Sequence, residues 1–144
     1  MLGEMVIGTL VNIAVILVHL AATFLLVSFV RPLAHRLAAF PRMRLTLALL
    51  VTSSVLLIAH LVEVSLWAGV FLYRELVPTL EAAFYSAFVG YTTLGFGDLQ
   101  QGEHTRLLGP MAAGSGIMMF GWTTALMIFV LQDHMPRLVR HRED

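Results

Sequence analysis

The segment Thr92-Thr93-Leu94-Gly95-Phe96-Gly97-Asp98 carries the most chemical content in the chain. Gly95 and Gly97 alternate with the bulkier Leu94 and Phe96. Glycine opens backbone angles closed to most L-residues, so such a run can turn successive carbonyl oxygens to one side. Leu94 and Phe96 then pack their side chains outward, and Thr93 adds a hydroxyl at one end. A file of carbonyls is a coordination shell that replaces water around a dehydrated cation. Within a bilayer, non-helical backbone of this kind is tolerated only where it lines a cavity.

A second set of residues is polar where the surrounding sequence is not. Asn12, His19, His60 and Glu63 lie inside long apolar runs, where ionisable groups are costly and usually meaningful. Counting residues along the runs places His19 and His60 near a bilayer midplane, with Asn12 and Glu63 level with each other nearer the outside. His60 and Glu63, three residues apart, share one helix face. A satisfied buried network that docks the first helix onto the second is the expectation, since buried polar groups need partners. Because histidine titrates near neutral pH, a proton sensor is the alternative. A membrane enzyme built on His60 and Glu63 is disfavoured, because no nucleophile or metal triad accompanies them in the sequence.

The elements that position these residues follow from hydropathy. The chain of 144 residues is 58% hydrophobic and 12% charged, against about 25% charged in a typical soluble domain. A membrane helix needs about 20 apolar residues. Met5 to Val30 supplies one span, Leu45 to Tyr73 a second and Leu107 to Leu131 a third. The first run is no signal peptide, because Glu4 precedes it where a positive residue belongs. Pro32 and Pro41 with Arg31, Arg36, Arg42 and Arg44 predict a polar loop between the first two spans. Pro78 suits the first turn of a further helix. Thr79 to Tyr91 is helical in pattern but too short to cross, so it reads as a re-entrant half-span leading into Thr92. The expected class is an all-α membrane protein of three transmembrane helices plus a re-entrant helix and loop. Its parts are an extra helix and basic loop (1–44), a membrane domain (45–135) and a short tail (136–144).

All nine basic residues are arginine. Four lie after the first span and Arg137, Arg140 and Arg142 in the tail, so the positive-inside rule puts both segments in the cytoplasm and the N-terminus outside. The outer region holds Glu75, Glu81, Asp98 and Glu103 against Arg74 and Arg106, a carboxylate excess that raises local cation concentration. There is no cysteine, which excludes disulfides and thiolate metal sites. No segment has the basic and aromatic character of a nucleic-acid surface, and no small-molecule substrate is evident.

Thr92 to Asp98 closely resembles the signature of the potassium-channel family, T-T-V-G-Y-G-D, with Leu94 in place of Val and Phe96 in place of Tyr. Phenylalanine occurs at that position in potassium-selective relatives, and the Gly97-Asp98 pair argues against the non-selective variant. Phe96 lacks the tyrosine hydroxyl, which leaves filter stiffness open. Gly116-Ile117-Met118-Met119-Phe120-Gly121 is similar to the glycine-hinged inner helix of the family, as found in small prokaryotic members with one pore domain. The resemblance covers about Leu45 to Leu131. It implies a homotetramer in the inner membrane, with four chains closing one ring of carbonyls. K+ would sit at Thr93, Leu94, Gly95 and Phe96, with Gly97 completing the filter and Thr92 and Asp98 supporting it and its outer mouth. Permeant K+ is then the only ion required, and no cofactor is expected.

The resemblance makes Gly116 and Gly121 a gating hinge, with helix packing as the rival for Gly116. Ile117, Phe120 and Thr124 share a helix face, which it places on the cavity below the filter. No span carries the regularly spaced arginines of a voltage sensor, and the tail is too short for a ligand-binding domain. Two other readings stay open: a weakly selective cation channel, and a non-conducting accessory subunit of a transport complex.

Overall fold

The computed structural model describes residues 2–36, 41–96 and 106–140, and every element among them is a helix. They are α1 (Leu2–Arg36), α2 (Pro41–Tyr73), α3 (Leu80–Tyr91) and α4 (Leu108–Arg140). Three of these contain segments long and apolar enough to cross a membrane: Leu2–Ser28, Arg42–Tyr73 and Leu108–Asp133. The 12 residues of α3 extend only about 18 Å at 1.5 Å per residue, short of the roughly 30 Å hydrocarbon core.

Two boundaries differ from expectation. The polar loop predicted from Arg31 is helical as far as Arg36, and α4 runs through Pro136 instead of stopping there. Proline's fixed φ is itself helical, so its interior cost is one lost hydrogen bond and a crowded carbonyl four residues earlier. The long helices absorb that cost. Pro41 and Pro110 occupy first turns, where no N–H is needed. Pro78 stands just outside α3: the cap is Thr79, whose side chain accepts from the Ala82 N–H at 3.2 Å.

The buried stripe of α1 is Glu4, Gly8, Val15, His19 and Leu26, spaced by four or seven residues, as one helix face requires. It packs on α2 and α4; α3 packs on α2 and α4 from another side, and α1 and α3 do not meet among the described residues. The shared core includes Val15, Trp67, Phe71, Ala87, Tyr91 and Met119. Small residues on α3, Ala83 and Ala87, are fully buried and let that short helix sit close to its neighbours. The opposite faces stay apolar and open, with Leu10, Phe24, Ile58 and Phe129 each about half exposed or more, as suits lipid or another subunit.

Helix α2 ends in a Schellman motif. The Glu75 N–H donates to Leu72 O and the Leu76 N–H to Phe71 O, each at 3.0 Å, while Leu76 packs on the core that contains Phe71. Glu75 takes the left-handed position with φ 55°, a conformation usually given to glycine. Because the left-handed region costs a non-glycine residue about 1–2 kcal/mol, Glu75→Gly is expected to raise stability by up to about 1 kcal/mol. Thermal unfolding in detergent followed by circular dichroism measures this; an unchanged or lower midpoint would mean that the Glu75 side chain contributes more than its backbone costs.

Candidate functional site

The end of α3 builds the start of the glycine-bearing loop. Thr93 N–H donates to Gly90 O at 2.9 Å and Leu94 N–H to Val89 O at 3.0 Å, a second Schellman closure. Its left-handed residue is Thr93, with φ 61°. A β-branched residue there is an outlier that the loop sustains through these bonds and through the Thr92 hydroxyl, which donates to Phe88 O at 2.7 Å. Gly95 again has positive φ, 58°, whereas Leu94 and Phe96 do not. Backbone that alternates in hand can turn successive carbonyls to one side, the requirement inferred from the glycine spacing. Gly97 and Asp98 lie outside the described residues.

Leu94 and Phe96 are 57% and 63% exposed. With Glu81, Phe84, Tyr85, Phe88 and Val89 they line an open groove of about 410 Å³. The outward packing expected of these two side chains is therefore only half supplied by the chain itself.

Tyr91, the last residue of α3, anchors this loop in two ways that sequence reasoning missed. Its carbonyl lies against Gly116 of α4, so closely that a methyl group added at Gly116 would overlap the carbonyl oxygen and come within 2.8 Å of the carbonyl carbon. Gly116 is thus a point of close helix contact. Around Gly121 a methyl would meet nothing within 4 Å, and α4 passes through both glycines without a break. The second anchor is the Tyr91 hydroxyl, which donates to Glu63 Oε2.

Glu63 is the centre of the polar cluster. His19 Nδ1 is 2.8 Å from Oε1, and His60 Nδ1 is 3.1 Å from Oε2. Both His19 and Glu63 are completely buried. The outer ring nitrogens converge on α4: His60 Nε2 is 2.9 Å and His19 Nε2 3.5 Å from Thr123 Oγ1. The structure brings together His19 of α1, His60 and Glu63, three of the four residues of the expected polar cluster. The Trp122 ring lies tilted beside His19 at 5.3 Å and the Phe120 ring tilted beside His60 at 4.7 Å.

Asn12 is not part of this cluster. Its side chain accepts from Ser115, which in turn accepts from Trp67 Nε1 at 3.1 Å. This is a separate polar layer, one helical turn from Glu63 along α2. At the helix starts the Leu107 N–H meets Glu4 Oε2 at 3.4 Å. Tyr91, Thr123, Ser115 and Trp67 all had one available signal: a hydroxyl or indole N–H inside an apolar run needs a partner. Ile117 is 65% exposed and Thr124 is also exposed, whereas Phe120 is 41% exposed and divides its ring between the open side and the His60 and Tyr91 rings.

Three helices long and apolar enough to cross a membrane, one half-length helix and a loop of alternating hand define an all-helical membrane protein. A family model described as "Ion channel" matches residues 47–133, from near the start of α2 to the part of α4 that can cross a membrane. The chain belongs to this ion channel family. No curated protein and no solved structure matches it.

The two roles of glycine on α4 are separable by mutation. Gly116→Ala forces apart α4 and the Tyr91 carbonyl and is expected to cost about 1–3 kcal/mol, as overpacking does. Gly114→Ala, which meets nothing within 4 Å, is expected to be neutral or slightly stabilising. Thermal midpoints of the two variants in detergent test this ordering; equal midpoints would refute it.

Proposed function

We propose that the protein is a potassium-selective channel that passes K+ down its gradient through a ring of backbone carbonyls. The observation that carries this reading is the positive φ at Thr93 and Gly95, with Leu94 between them of the other hand, directly after a half-length helix. A chain of this shape offers carbonyls of Thr93, Leu94, Gly95 and Phe96 as ligands for a dehydrated monovalent cation. The C-terminal end of α3 leads into it and adds a partial negative charge that favours cations. One copy cannot close a ring. The exposed Leu94 and Phe96 and the groove beside them support a homotetramer, in which neighbouring chains cover these side chains. Gly97 and Asp98 complete the filter and its outer mouth in this reading.

Ile117 and Thr124 face the cavity below the filter, and Phe120 borders it. Of the two hinge candidates, Gly121 has the space to bend, whereas Gly116 is engaged by Tyr91. The arginine-bearing segments face the cytoplasm and the N-terminus faces outward, in the inner membrane of a cell, with the outer carboxylates gathering cations.

Flux from purified protein in liposomes tests this reading. Potassium is expected to pass far faster than sodium, with block by barium, and Gly95→Ala is expected to abolish the flux, since alanine is strained at φ 58°. Equal potassium and sodium permeability would support a weakly selective cation channel instead, and absence of current from a folded tetramer an accessory subunit.

A further inference from the structure

Ligand atoms of His19, His60 and Glu63 all lie within 4.8 Å of one another. We propose that this cluster binds one divalent transition-metal ion of the zinc type, held by His19 Nδ1, His60 Nδ1 and a Glu63 oxygen, with the Tyr91 oxygen as fourth donor. Two imidazoles and oxygen donors without any thiolate select ions of borderline softness over soft ones. Tyr91 releases its proton to the bulk solution on binding, one proton per ion bound. The two charges of the ion then meet two anionic oxygens, so the loaded site is neutral within the bilayer. The inference does not depend on which monovalent ion the channel passes.

Two features favour a metal over an ordinary hydrogen-bond network. The first is crowding. His60 Nδ1 is 3.1 Å from Glu63 Oε2 and 2.9 Å from the Tyr91 oxygen, while Tyr91 is itself bonded to the same Oε2. A single imidazole hydrogen reaches both neighbours only as a divided, weaker three-centre bond, whereas one cation serves all three atoms.

The second is the hydrogen count at Thr123. If both Nδ1 atoms carry hydrogens toward the Glu63 side, both Nε2 atoms need a donor, and the one hydroxyl that faces them, Thr123 at 2.9 and 3.5 Å, has a single hydrogen. If both Nδ1 atoms bind metal, each Nε2 carries its hydrogen, and the two lone pairs of Thr123 accept them. This is the outer-shell arrangement that fixes metal-bound histidine. Trp122 and Phe120 wall the site.

An ordinary network with one histidine in the other tautomer, or with a single extra proton shared by the two, would also satisfy Thr123 and is the competing outcome. The test uses the full-length protein in detergent, stripped with chelator and dialysed against zinc, with Co2+ substitution as a spectroscopic probe. Expected are one zinc per chain and the intense visible bands of four-coordinate Co2+. Thr123→Val, which removes no ligand, should weaken binding about 10–100-fold, and the His19→Ala/His60→Ala double variant should lose the zinc. The proposal is overturned if the folded wild-type protein takes up no zinc, or if Co2+ gives only weak octahedral bands. Undiminished binding by the double variant, through the other four of the chain's six histidines, would also overturn it. The Co2+ spectrum of the wild-type protein decides the matter even if the double variant does not fold.

Discussion

The structure depends on one costly decision: a carboxylate, Glu63, is buried completely inside an apolar helix bundle. In a low-dielectric interior an unpaired charge is prohibitively expensive, so partners must come from whatever packs nearby. They come from three helices: His19 on α1, His60 on α2 itself and Tyr91 on α3. Thr123 then ties both imidazoles to α4. In lipid there is little hydrophobic force to choose one helix arrangement over another. Directional bonds to a single buried anion make that choice, because only one rotation of each helix presents its polar residue to Glu63.

The same constraint reaches the loop. Tyr91 is held at its hydroxyl by Glu63 and at its carbonyl by close contact with Gly116. The next residues, Thr92 and Thr93, therefore leave α3 from a fixed point and in a fixed direction. Thr93 sits at φ 61°, a position where strain persists only if the surroundings over-determine it. The two Schellman hydrogen bonds and the Thr92 hydroxyl supply that determination on one side, and the anchored Tyr91 on the other. The side chains that flank Gly95, by contrast, are left open. The chain is rigid where the loop begins and open at the side chains that follow.

Much of this was legible in the residues. Three apolar runs and a half-length helix follow from length and hydropathy, and the alternating glycines announce an unusual backbone. The ends of α1 and α4 were less legible, because Pro32 and Pro136 read as helix breakers and yet a long helix tolerates the loss of one bond. The polar cluster was half legible. His60 and Glu63 share a face of one helix and so can be paired by counting. His19 needs the rotation of α1 as well as its depth, and rotation is set by contacts that no single run of sequence contains. Asn12 shows the same limit: depth counting placed it level with Glu63, whereas helix rotation directs it to Ser115 on α4. Tyr91 was hidden for a different reason. It reads as the last residue of an apolar helix, and only the packed structure shows both of its polar ends in use.

The family match begins at residue 47 and so leaves α1 out, yet α1 is not an appendage. It gives Glu4 to the Leu107 N–H, Asn12 to Ser115 and His19 to Glu63, one polar contact at each of three levels. Removing one partner from a buried polar contact costs about 1–3 kcal/mol, and more where the group left behind is charged. The helices of the matched segment therefore carry buried polar groups whose hydrogen-bond sets α1 completes. Glu63 lies within the matched segment and His19 outside it. A carboxylate at that position makes the two inseparable, and it turns a helix that packing alone would hold loosely into a structural part of the channel.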